Sequence, residues 1–153
     1  ASVATLRAVL PGMVARGSGH VINIASMSTK MGPWGHAGYA AAKAALVSLT
    51  QTLAAEHQGD GIRFSYVNPG IVDTEYFDNL GSLGEVTRRW RISPDVVADR
   101  IVGLLDAPRL ELCIPRHYRA LDLLKALAPG LAHRIVSRQS RPAPGARTAG
   151  STD

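Results

Sequence analysis

The stretch Gly19-His-Val-Ile-Asn-Ile-Ala-Ser26, taken together with the residues after it as far as Asn68-Pro69-Gly70, decides the fold. His20 to Ala25 is a short β-branched run, the pattern of a buried strand. Ser26 to Gly38 is rich in Ser, Gly and Pro and reads as a loop. Residues 39–57 carry Ala42, Leu46, Leu49 and Leu53 at steps of 4, 3 and 4, one face of a helix. Gly59-Asp60-Gly61 stops that helix, and Ile62 to Val67 forms a second strand. A strand, a crossover helix and a strand imply parallel pairing.

The same alternation extends outward. Val3, Leu6, Val9, Leu10 and Met13 recur at helical spacing over residues 1–16, which Gly17-Ser18-Gly19 ends. The chain has no initiator Met and begins as though within a helix, so it reads as a fragment of a longer protein. Residues 71–93 read as a long excursion. Ser93 caps a helix that starts at Pro94 and runs to about Leu105. Leu110 to Ile114 is a third strand, stopped by Pro115, and residues 117–138 form a helical stretch interrupted at Pro129-Gly130. The expected organisation is one α/β domain over 1–138, about three parallel strands with flanking helices, and a disordered basic tail over 139–153. Right-handed crossovers put the strands' carboxyl ends on one edge, where such sheets bind ligands. The loops opening at Ser26 and Asn68 lie there.

Composition narrows the function classes. The 153 residues are 46% apolar and 19% charged, as in an ordinary globular protein. The longest apolar runs fall short of the ~18 residues of a membrane-spanning helix. With one cysteine, Cys113, an intrachain disulfide and a multi-cysteine zinc site are both excluded, and its place in an apolar strand makes it inert core. No metal site is expected. The start carries no secretory signal, and a reducing, cytoplasmic setting is compatible. The net charge of +5 is unevenly spread: residues 1–115 are neutral, with 10 Lys/Arg and 10 Asp/Glu, while 116–153 hold 7 and 2. A basic body steering toward nucleic acid is not indicated. The basic, amphipathic stretch 117–138 reads as a helix packed on the body or on a partner subunit, with peripheral contact to an anionic membrane as the alternative.

Ser26, Tyr39 and Lys43 carry the chemistry. Tyr39 and Lys43 stand at i and i+4 of one helix, so they share a face. A free phenol is a poor proton shuttle at neutral pH, and a neighbouring ammonium favours its ionised form. Such a phenol can give a proton to a carbonyl oxygen or take one from an alcohol. A serine hydroxyl can hold the same oxygen in place. The set suits alcohol/carbonyl interconversion but lacks a hydride source, so a redox cofactor is required.

Gly19-His-Val-Ile-Asn-Ile-Ala-Ser26, Tyr39-Ala-Ala-Ala-Lys43 and Asn68-Pro-Gly-Ile-Val-Asp-Thr74, in that order, resemble the short-chain dehydrogenase/reductase family over roughly residues 1–115. The resemblance implies a doubly wound Rossmann-like fold and NAD or NADP as cofactor, with NADP slightly favoured. It implies Tyr39 as acid/base, Lys43 as its tuning cation and a ligand of the nicotinamide ribose, and Ser26 as the group that orients the substrate oxygen. Pro69 and Gly70 would line the nicotinamide, the Val72 backbone would meet the carboxamide, and Thr74 would lie near the cofactor amide or pyrophosphate. Met31, Trp34 and His36 would border the substrate pocket. Tyr76 and Phe77 would belong to a mobile lid suited to a hydrophobic alcohol or ketone. Residues 1–16 and 39–57 would be the helices that pair subunits in a homo-oligomer.

The departure is at the front. The family's Gly-x-x-x-Gly-x-Gly turn is absent, since Gly32, Gly35 and Gly38 sit in the loop between Ser26 and Tyr39 rather than between a strand and a helix. The chain is therefore expected to bind dinucleotide poorly on its own, having no phosphate cradle. Two readings stand: an NAD(P)-dependent oxidoreductase of which this is a part, or a non-catalytic binding or subunit module of the same ancestry.

Overall fold

A computed structural model describes residues 2–75 and 90–140. The elements are α1 (Ser2–Arg16), β1 (Gly19–Ile24), α2 (Ser28–Met31), α3 (Ala37–Glu56), β2 (Ile62–Pro69), α4 (Pro94–Asp106), β3 (Glu111–Ile114), a 3-10 turn (Arg116–Arg119), α5 (Ala120–Leu127) and α6 (Pro129–Ser140). The three strands form one sheet in the order β1-β2-β3, both pairs parallel.

Alternation along the strands sorts side chains to two faces. Val21, Ile62 and Phe64 pack with Leu6, Leu10 and Met13 of α1 and with Leu49 and Leu53 of α3. Ile22, Val67, Leu112 and Ile114 point the other way, to Val97, Ile101 and Leu104 of α4. The strands are thus covered by helices on both faces, the three-layer arrangement the sequence pattern predicts. The α4 start also matches: the Asp95 N–H donates to Ser93 Oγ at 3.2 Å, and Pro94 stands where no N–H is needed.

Several local expectations are corrected. The loop after β1 holds the short helix α2, ended by Gly32 in a left-handed conformation (φ 61°). β2 runs on through Asn68 to Pro69: Pro69, which has no N–H of its own, stands opposite Ile114, and the Gly70 N–H that follows makes the bond to Ile114 O. The stretch 117–138 opens with a 3-10 turn and is interrupted where expected, its two helices meeting at Ala128 (φ −144°) just before Pro129. The last helix continues to Ser140, two residues into the expected tail; residues 141–153 lie outside the described residues, as do Tyr76, Phe77 and the rest of 76–89.

Gly61 shows how the strand entries are fixed. It adopts φ +73°, and a Cβ there would come within 2.0 Å of Gly17 O. Gly61→Ala is expected to lower stability by more than the ~1–3 kcal/mol of a strained left-handed residue, because the backbone of Gly17 must also move. A urea midpoint unchanged from that of the parent would refute this close approach.

Candidate active site

A polar bond inside an apolar contact fixes α3 on β1. Asn23 Nδ2 donates to Thr50 Oγ1 at 2.8 Å, and Thr50 Oγ1 donates to Leu46 O at 2.7 Å. Thr50 is fully buried, so these bonds have no water to replace them. With α3 seated this way, its first turns reach the carboxyl end of β1. There Lys43 Nζ donates to Ile24 O at 2.8 Å. The same ammonium lies 5.7 Å from the Tyr39 ring centroid, within cation–π range. Tyr39 itself is 46% exposed, so its phenol is open to a ligand.

Ser26 stands directly after Ala25 at the same edge. Its Oγ accepts the Ser28 N–H at 3.1 Å, and its carbonyl accepts both the N–H (3.2 Å) and Oγ1 (2.8 Å) of Thr29. These bonds curl the chain into α2 and orient the Ser26 hydroxyl while leaving its own proton to donate. Further along the loop, His36 Nδ1 bonds Trp34 O at 3.0 Å, which puts the ring proton on Nδ1. The His36 ring meets Tyr39 edge-on at 6.1 Å between centroids. Met31 is half-buried at the end of α2, and Trp34 is exposed.

The second loop begins at Asn68-Pro69-Gly70. Pro69 O accepts the Met27 N–H at 3.0 Å, which ties this loop to the first. The Gly70 N–H donates to Ile114 O at 2.8 Å, and a Cβ on Gly70 would meet Tyr118 Cε2 at 2.8 Å. Glycine is what lets the Tyr118 ring lie against the backbone there. Beyond it, Val72 bridges Ile92 in parallel, with the bonds made by Ile71 O and the Asp73 N–H. That pattern turns the N–H and C=O of Val72 itself away from Ile92. Thr74 Oγ1 donates to Val72 O at 3.4 Å, and Asp73 is held by Arg91 at 2.8 Å.

One cluster escaped the sequence reading. Lys30 in α2 pairs with Glu111 Oε1 at 2.7 Å and with the Asp122 carboxylate of α5. Burial opposes the charge on Lys30, but the two carboxylates outweigh it and hold its pKa above the ordinary value. Asn68 Nδ2 donates to Glu111 Oε1 at 3.2 Å, and the Cys113 thiol lies 3.6 Å from the same oxygen. Burial, reinforced by the Glu111 charge, pushes the Cys113 thiol up to about 11. The partners of Lys30 lie 81 and 92 residues away, so no local spacing announces them. The sole signal was a lone charge in the loop 26–38.

A nicotinamide dinucleotide can be tested against these groups. A phenol, an ammonium and a serine hydroxyl at one strand edge are donors suited to a ribose hydroxyl and a substrate oxygen, and the backbone of Val72 faces away from its own bridge. The nicotinamide end therefore fits. The pyrophosphate end does not: among the described residues no strand turns directly through glycines into a long helix, β1 being followed by the four-residue α2.

Comparison with known proteins gives a consistent picture. The family model described as short chain dehydrogenase matches residues 1–83. The dehydrogenase/reductase SDR family protein 7-like of Drosophila melanogaster is 37% identical over 148 residues, covering 91% of this chain and 45% of that protein. A short chain dehydrogenase from Burkholderia cenocepacia, crystallised with NADP, superposes with a TM-score of 0.74 at 21% identity, over 88% of this chain and 55% of that one. Serine dehydrogenase from Escherichia coli gives 0.59 at 27% identity, over 72% and 46%. The first of these structures shares the fold, a Rossmann-like parallel sheet. The chain spans about half the length of these proteins.

The raised Cys113 pKa has a direct readout. Alkylation of the native thiol at pH 8 is expected to be at least about a hundredfold slower than in the denatured chain, since a thiol near 11 rather than 9 is that much less ionised. Equal rates in the two states would contradict the buried placement.

Proposed function

Because the chain belongs to the short-chain dehydrogenase family, we propose that it carries the acid/base half of an NAD(P)-dependent oxidoreductase centre that interconverts an alcohol and a ketone or aldehyde. The observation that supports this most directly is the exposed Tyr39 phenol beside the Lys43 ammonium, which is anchored on Ile24 O at the end of β1. Tyr39 gives a proton to the carbonyl oxygen in reduction and removes it from the alcohol in oxidation. Lys43 stabilises the phenolate and reaches a ribose hydroxyl. Ser26 donates to the substrate oxygen and holds it near the phenol. The dinucleotide, when bound, supplies or accepts the hydride. Pro69, Gly70, Val72 and Thr74 line its nicotinamide end, and NADP is slightly favoured on the family resemblance alone. Met31, Trp34 and His36 border a pocket for a hydrophobic substrate. The outer faces of α1, where Val3, Val9 and Val14 are exposed, and of α3 serve subunit pairing.

In the protein at its full natural length, Tyr39→Phe is expected to cut kcat by about 10²–10⁴-fold while leaving dinucleotide affinity nearly unchanged. Turnover of Tyr39→Phe equal to the parent's on a panel of alcohols and ketones would sink the assignment. A parent that neither binds nor turns over nicotinamide cofactors would favour the non-catalytic module.

A second reading concerns the carboxyl-terminal helices. Among the described residues no helix is long and apolar enough to cross a membrane. Leu123, Leu127 and Leu131 are nonetheless exposed, beside Arg116, Arg119, Lys125, Arg134 and Arg138. An apolar row with a basic border suits peripheral contact with an anionic bilayer. The protein is expected to sediment with phosphatidylserine-containing vesicles and not with phosphatidylcholine alone. Leu127→Asp should weaken that binding, and sedimentation unaffected by lipid charge would contradict the contact.

A further inference from the structure

Among the described residues the most elaborate charge cluster is used by none of the chemistry above. Lys30 sits in the loop that joins Ser26 to Tyr39. Its side chain is 13% exposed and that of Glu111 17%, so both charges are largely withdrawn from water. The Lys30 ammonium binds Glu111 and Asp122, and its carbonyl accepts the ammonium of Lys125, one turn along α5. The lacing thus runs both ways: side chain of α2 to side chain of α5, and side chain of α5 back to the backbone of α2. Glu111 is held in turn by Asn68, near the end of β2 just before the second candidate loop. Arg119, at 4.0 Å from Glu111 Oε2, adds a weaker contact from the solvent side.

Buried ion pairs seldom stabilise more than an apolar replacement of the same volume would. What they add is direction: an ammonium between two carboxylates tolerates one arrangement, whereas apolar side chains slide. Here the arrangement joins the first loop, the second loop, β3 and α5. Tyr118, on the turn that leads into α5, packs on Gly70. The segment 116–125 is therefore seated against both loops that frame the candidate site.

We propose that Lys30 is a positioning residue: by bridging Glu111 and Asp122 it seats α5 against the loop carrying Ser26 and so fixes one wall of the substrate pocket. This rests on the reading of Ser26 and Tyr39 as the reaction centre. Lys30 touches no reacting atom. Its loss should change how well substrate is held more than how fast bound substrate reacts.

The test uses the protein at its full natural length with Lys30→Met, Lys30→Arg and Asp122→Asn. Hydrogen exchange in Lys30→Met is expected to speed up about tenfold in residues 28–31 and 120–127, with β2 unchanged. The KM for substrate should rise about tenfold with kcat held within about twofold, the pattern of lost ground-state positioning. Lys30→Arg, which keeps the charge and can span two carboxylates, should recover most of the affinity. Asp122→Asn should shift KM in the same direction, and combining it with Lys30→Met should add little, as expected for partners in one network. Should Lys30→Met fail to fold, Asp122→Asn with Lys30→Arg carries the same comparison, because Asp122 is half exposed and its loss strands less charge. Unchanged KM in both Lys30→Met and Asp122→Asn overturns the positioning role, even if exchange speeds up. If at the same time Tyr39→Phe is inactive, the oxidoreductase reading stands without it. A parent devoid of turnover overturns both.

Discussion

Between Gly19 and Ile24, β1 is bonded in parallel to residues Ile62 to Val67 of β2. Parallel neighbours cannot be joined by a tight turn, so the chain must travel back along the sheet before it can pair again. α3 does this with 20 residues, at about 1.5 Å each a span of about 30 Å. The same requirement puts the residues after β1 and after β2 at one edge. Ser26 and Pro69 become neighbours of the same space for that reason, and the Met27 N–H to Pro69 O bond joins their loops directly. Tyr39 and Lys43 follow because the returning helix must begin where the first strand ended.

Within this frame the rotation of α3 is decided by polar atoms. An Ala-rich helix with few large side chains could rotate on an apolar sheet at little cost. The Asn23–Thr50 bond opposes that freedom, since turning α3 would break it at a fully buried hydroxyl and take from the half-buried Asn23 amide its partner on the helix. Lys43 repeats the constraint near the other end of the helix by bonding Ile24 O.

The layers, the three strands, the long crossover helix and the shared face of Tyr39 and Lys43 were legible because each is written in near-neighbour spacing. Val21 and Ile22 alternate faces, Leu49 and Leu53 recur at one helical turn, and Ser93-Pro94 announces a helix start. The features that were not legible depend on distance. The pairing of Lys30 with Glu111 and Asp122 joins three elements with no common period. The break at Ala128 is a backbone event that Pro129 predicts only in position, not in consequence. The extension of β2 through Pro69 depends on which side of the strand has a neighbour, which its own residues do not state. The placement of Cys113 as buried core was legible from its apolar strand; its pairing with Glu111 across two residues of one strand face was not.

At the opposite end of the sheet, Gly17 and Gly61 lead into adjacent strands with their backbones in contact. The consequence is evolutionary. Gly61 has no room for a side chain while the carbonyl oxygen of Gly17 fills that space, and both glycines hold a positive φ at which any side chain is strained. Lengthening and diversification in this scaffold are therefore channelled to the far edge, where the loops after β1 and β2 are free to grow. A lineage built on this frame can change what it recognises while the entry to its strands stays fixed.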